Sequence, residues 1–258
     1  MITAGRPTDV APRWSVLLGV LAATFALFQA MGDVLGSGRG EAGLAIGAAV
    51  VGVLLVVECW LYRRSLASAQ ASLGLGRPRL SGMVAAVAIG LLLLGVIPAY
   101  AWLRGVPVVL HEGWMWLLPG LFAQAGVAEE TLFRGFLFRR LRQGRSFWRA
   151  ATLAAIPFVL AHLILFATLP WTVAAASVLL ATVMSFALAH LFELGGDTIW
   201  PPAIVHFVVQ GAIKLLEVPG DAQLPLVWIG ACAVLPYLAF LLRRPVPPAS
   251  ATIAHATH

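Results

Sequence analysis

Eight apolar runs, each close to the length of a membrane-crossing helix, leave this chain few ways to fold. They cover residues 14–31, 42–62, 83–103, 113–138, 147–168, 171–191, 198–216 and 224–242. About 20 residues of helix, rising about 1.5 Å each, cross a hydrocarbon core about 30 Å thick. Lipid offers the backbone no hydrogen-bond partners, so such runs must become helices. A soluble fold is excluded on charge. Of the 258 residues, 60% are hydrophobic and 11% charged, where soluble domains carry about 25% charged residues. The expectation is an all-α, polytopic membrane protein of about eight transmembrane helices. A single integral domain would occupy 1–244, followed by a disordered cytoplasmic tail over 245–258, rich in Pro, Ala and Ser. A cleaved leader is disfavoured, because a cut after Ala30 would put Phe28 where a small residue is required.

The formal charge of +6 would suggest nucleic acid in a soluble protein. Here it reads as topology. With the N-terminus inside, Arg39, Arg104 and Lys214 fall on the outer side and Arg134 within the membrane, while every other cation falls on the cytoplasmic side. The positive-inside rule then puts both termini in the cytoplasm of a multi-pass plasma-membrane protein. Glu193 and Asp197 dissent, sitting on the inner side without an evident basic partner. The expected partners are the bilayer and a peptide or protein substrate, not nucleic acid. Cys59 and Cys232 lie in apolar runs and read as inert thiols.

Ionisable residues inside a membrane are costly and face a protein interior or cavity. This chain carries three such groups. In Glu129-Glu130-Thr131-Leu132-Phe133-Arg134, Glu130 and Arg134 are four apart and can pair along one helix face. Glu129 points about 100° away and has no basic partner at i+3 or i+4. One carboxylate is neutralised and the other stays available for general-base work. The bland alternative is ionic glue between helices. Phe158 to His162 forms the second group, behind Pro157, which is expected to kink its helix. A lone histidine there is more often a satisfied core residue than a catalyst. His206 and Gln210 form the third, on a helix started by Trp200-Pro201-Pro202. Both can donate hydrogen bonds from one face, as an oxyanion hole requires, or act as interhelical glue.

Depth links the groups. At the helical rise, Glu129 lies about 15 Å from Arg139, His162 about 20 Å from Arg149 and His206 about 12 Å from Thr198. With alternating helix directions, all three land between the midplane and the cytoplasmic face. Other polar residues earn no role. His190 repeats the Phe-to-His spacing of Phe158 and His162 but falls at a helix end. Glu58 reads as a rim charge beside Arg63 and Arg64, and His111 and Glu112 fall in a loop.

The ordered set Glu129-Glu130-x-x-x-Arg134, Phe158-x-x-x-His162 and His206-x-x-x-Gln210, with its lead-in from Asp197 to Val205, resembles the motifs of the CPBP intramembrane proteases. These are the type II CAAX prenyl endopeptidases and their bacteriocin-processing and abortive-infection relatives. The resemblance covers a core of about 113–210. It implies an eight-helix fold and an intramembrane endopeptidase acting on a membrane-associated, in some members lipidated, substrate. Glu129 and His162 would activate water, His206 and the amide at 210 would hold the oxyanion, and Glu130 and Arg134 would support the site. The family motif usually ends in Asn, and Gln210 departs from it by one methylene.

Family members are often called metalloproteases. Glu129, His162 and His206 would be the ligands if a divalent ion such as zinc were bound, with water in the fourth position. The chain has no HExxH pattern, and the favoured mechanism requires no cofactor. Two other functions remain open at this point. One is a proton-coupled transporter or channel, since carboxylate and histidine chains also relay protons, although no internal repeat is visible. The other is a non-catalytic immunity or binding protein on the same scaffold.

Overall fold

A computed structural model describes residues 14–35, 40–219, 221 and 223–242. The expectations for the 245–258 tail, and for Arg6, Arg13, Arg39, Arg243 and Arg244, lie outside the described residues. The chain is an all-α, polytopic membrane protein. Its helices are α1 (Trp14–Leu35), α2 (Glu41–Trp60), the short α3 (Leu66–Ser72), α4 (Leu80–Arg104), α5 (Trp114–Leu121), α6 (Arg139–Arg142), α7 (Phe147–His162), α8 (Leu165–Thr168), α9 (Trp171–Leu194), α10 (Trp200–Leu215) and α11 (Leu224–Val234).

Six helical stretches among the described residues are long and apolar enough to cross a bilayer. They correspond to six of the eight runs. The other two runs carry two of the three polar groups, Glu129 to Arg134 and His206 to Gln210, and each departs from a plain span. The fourth is not one regular α-helix. Between α5 and α6 the chain makes two wide π-helical stretches, Phe122–Ala128 and Thr131–Phe138, on either side of Glu129 and Glu130. Such turns are rare and concentrate at functional sites. The seventh run forms α10, 16 residues long, or about 24 Å at the helical rise, short of a full crossing.

Outward faces are apolar: Val84, Val87, Leu91 and Leu92 of α4 are all exposed. In water this would be an unsupported patch; in lipid it is the expected surface. Trp14, Trp60, Trp102 and Trp171 are exposed at helix ends, as an interfacial aromatic belt requires. Inside, close approach depends on small residues. A Cβ on Gly43 would meet the Gly120 carbonyl oxygen at 2.4 Å, so α2 and α5 touch backbone to backbone, the usual packing of small residues between membrane helices.

Two hydrophobic clusters form. One joins α1, α2, the second π-helical stretch and α7 through Leu17, Val50, Phe136 and Phe158. The other joins α4, α9, α10 and α11 through Leu93, Leu188, Val209 and Trp228. A two-stranded ribbon, absent from the sequence expectation, ties the start of the site helix to the end of α10: β1 (Val109–Leu110) pairs antiparallel with β2 (Leu216–Glu217), Val109 opposite Glu217. Four residues of extended chain give too short a signal to separate from a loop.

At the opposite, arginine-rich end, the structure corrects two local expectations. Glu58 is fully buried, not a rim charge, and pairs with Arg140 and, at 3.6 Å, with Arg64. Glu193 is not without a basic partner: its Oε1 accepts from Arg142 Nε at 2.6 Å. Asp197 nearby has a positive φ of 60°, and burial pushes its carboxyl above the usual range against the opposing pull of Arg139. Ile199 N donates to the Gly74 carbonyl, and Trp200 Nε1 to that of Gly76, both at 2.9 Å. This lead-in clamps the first turn of α10 to the loop after α3.

Candidate active site

A cavity of about 510 Å³ opens where the two hydrophobic clusters meet. Ala128, Leu132 and Phe158 line it from one side, and Met184, Val209 and Trp228 from the other. Glu129, His162, His206 and Gln210 all lie on its wall. The polar residues that depth arithmetic put at one level therefore share one space.

The two adjacent glutamates have different environments. Glu130 is buried to 0% exposure beside Arg134 at 3%. Arg134 Nη1 donates to Glu130 Oε1 at 2.9 Å, the expected i,i+4 pair. Glu129 keeps 17% of its side chain accessible. It is the carboxylate that meets the cavity.

His206 sits between them. Its Nδ1 lies 2.7 Å from Glu130 Oε1, and its Nε2 lies 3.8 Å from Glu129 Oε2. The sequence placed His206 with Gln210 and did not foresee a direct bond to Glu130. That bond crosses between helices far apart in the chain, and spacing along one helix does not report it. Because a carboxylate only accepts, Nδ1 is the protonated nitrogen in this contact.

His162 is oriented by its own helix. Its Nδ1 is 2.8 Å from the Phe158 carbonyl oxygen one turn earlier. A carbonyl also only accepts, so Nδ1 carries hydrogen and Nε2 presents a lone pair. Pro157 lies inside α7 next to that carbonyl. The Phe158 ring supports the site too. Arg134 lies over it at 4.6 Å from the centroid, and the rings of His162 and His206 lie edge-on at 4.7 and 6.1 Å. Sequence reasoning treated Phe158 as a spacing marker. An aromatic residue one helical turn before a membrane histidine was the available signal.

Gln210 lines the cavity one turn beyond His206, and its Oε1 accepts from Lys214 Nζ at 2.9 Å. Lys214, which the charge count assigned to the outer side, also lines the cavity, as does Gln124 on the first π-helical stretch. Both were missed. The signal for Lys214 was its place at i+8 from His206 on the same face. His190 is buried elsewhere, bonded to the Ala239 carbonyl at 3.0 Å and stacked on Phe240. It is a core residue and not an interfacial one.

Fit to a metal ion can be judged on donor positions. Among the described residues, no three His, Cys, Asp or Glu side chains gather closely enough to hold one. Glu129 and His206 approach each other, but His162 does not complete a set with them. The donors do not fit a three-ligand centre.

Fold and site define a class: a multi-pass membrane protein with a carboxylate–histidine cavity enclosed by its helices. Within that class, residues 111–212 match the model of the type II CAAX prenyl endopeptidase Rce1-like family. This segment holds every residue from Glu129 to Gln210, and over it the chain is similar to the CAAX proteases. The match supports a CAAX-type intramembrane protease, hence a hydrolase. No curated protein matches the chain.

Proposed function

We propose that the protein is an intramembrane endopeptidase that hydrolyses a peptide bond of a membrane-associated substrate, without a metal ion. The observation that carries this reading is the convergence of Glu129, His162, His206 and Gln210 on one cavity, with His206 held between the two glutamates.

Glu129, aided by the Nε2 lone pair of His162, takes a proton from water. The water oxygen attacks the scissile carbonyl carbon. Gln210 and a protonated His206 Nε2 donate to the developing oxyanion, the step at which preorganised donors act most strongly. The C–N bond then breaks, and the proton held by the carboxylate–histidine set passes to the leaving amine.

Charge balance supports this division of labour. Arg134 offsets one of the two ionised glutamates, and a proton on His206 offsets the other. The cluster is then neutral as a whole in a medium where isolated charge is expensive. Glu130 and Arg134 hold His206 and do not touch the substrate.

The cavity wall is mostly apolar, which suits an apolar or lipidated peptide. The arginine-rich end, holding Arg63, Arg64, Arg77, Arg79 and Arg139 to Arg149, is assigned to the cytoplasm of a plasma-membrane protein. Profiling the C-termini of membrane peptides in cells carrying the wild type or Glu129→Ala tests the reading. New C-termini that depend on Glu129 support it; identical profiles overturn it.

A further inference from the structure

In addition, we infer that Lys214 is a positioning residue that sets which end of the Gln210 amide faces the reacting atoms; the inference rests on the protease reading only for its kinetic consequence. An amide side chain has an accepting end and a donating end of nearly the same shape, and rotation by half a turn exchanges them. For an oxyanion donor the difference is decisive: a carbonyl oxygen turned to the oxyanion would repel it.

The Lys214 ammonium removes the ambiguity. It has donors only, so it pairs with the oxygen and not the nitrogen. Nζ of Lys214 lies 2.9 Å from Gln210 Oε1. The NH2 group is thereby left on the other side of the amide, and both side chains line the cavity. The two residues are four apart on α10, so the contact is local to one helix face and needs no distant element to form.

The pairing also bears on Gln210 itself. The extra methylene of glutamine adds a rotatable bond to a group that must sit within about 0.5 Å of its working position. A second anchor one turn further along restrains that freedom. Lys214 is the single lysine of the chain, and the outer end of a short α10 is where a long flexible cation can reach back into the cavity.

Two measurements on the full-length protein in detergent micelles or liposomes test this. First, 15N-edited NMR of glutamine-labelled protein, with the signal assigned by its loss in Gln210→Ala, reads the Gln210 amide directly. The amide protons of the wild type should be fixed and distinct. Lys214→Met should move them towards free-amide values, and Lys214→Arg, another donor-only cation, should restore them. This readout does not require any peptidase activity. Unchanged Gln210 signals in Lys214→Met, or restoration by Lys214→Gln as complete as by Lys214→Arg, would overturn the inference. Second, Lys214→Met should lower kcat about tenfold at unchanged KM, less than the roughly hundredfold or greater loss of an oxyanion donor itself. In a Gln210→Ala background it should cost nothing further; a full additive loss there would contradict positioning through Gln210. If Glu129→Gln retains full activity, the protease reading fails, and the NMR result still decides the role of Lys214.

Discussion

His206 Nδ1 lies 2.7 Å from Glu130 Oε1, the same carboxylate oxygen that accepts from Arg134 at 2.9 Å. A single buried oxygen therefore fixes a histidine from α10 and an arginine from the second π-helical stretch. Removing its negative charge should loosen both. Glu130→Gln leaves Arg134 as an uncompensated buried cation, and breaking such a pair costs about 3–5 kcal/mol. Thermal unfolding in detergent should show a large loss. Glu130→Leu combined with Arg134→Leu should recover much of that stability without recovering cleavage, because His206 stays unheld.

Phe158 contacts Arg134, His162 and His206 through its ring while its carbonyl orients His162. Phe158→Leu keeps the carbonyl and removes the ring. We expect a stability loss of about 1–2 kcal/mol, ordinary for a core change. Peptide cleavage should fall much further than the folded fraction does. Equal losses in unfolding and cleavage assays would reduce Phe158 to packing.

Much of this site was legible in the sequence, and the reason is solvent. In a chain with 11% charged residues, a polar residue inside an apolar run stands out because lipid makes it costly. That alone brought Glu129, Glu130, Arg134, His162 and His206 forward, and helical periodicity gave the Glu130–Arg134 pair. Contacts between helices were not legible. The His206–Glu130 bond joins residues 76 apart in the chain, and the Glu193–Arg142 pair joins residues 51 apart. The π-helical turns were hidden because a 3.6-residue period was assumed across 113–138. Lys214 was not legible as a cavity residue because a cation near a helix end enters only the topology count, although long side chains reach back along their helix.

Acid should weaken the end of the bundle that carries Asp221. The Asp221 carboxyl accepts from Tyr100 Oη and from Gln223 N, each at 2.8 Å. These bonds hold its pKa below the usual carboxylate value, Tyr100 contributing most. A depressed folded-state value means that the stabilisation is fully present above about pH 4, the unfolded value. It is lost as pH falls through the lower folded value. Unfolding midpoints between about pH 5 and pH 2 should fall less steeply in Asp221→Asn than in the wild type. Parallel slopes would show that these bonds contribute nothing to the acid limb.

The most direct test of the central claim is hydrolysis of membrane-anchored, fluorescence-quenched peptides, prenylated and unprenylated, by purified protein in liposomes, with Glu129→Gln alongside and a strong chelator in every arm. The account predicts cleavage by the wild type that survives chelation. It also predicts a loss of at least about a hundredfold in Glu129→Gln, the scale of a general base, with unchanged thermal unfolding. Full cleavage by Glu129→Gln would contradict the assignment of the base, and activity abolished by the chelator and restored by zinc would contradict the metal-free mechanism.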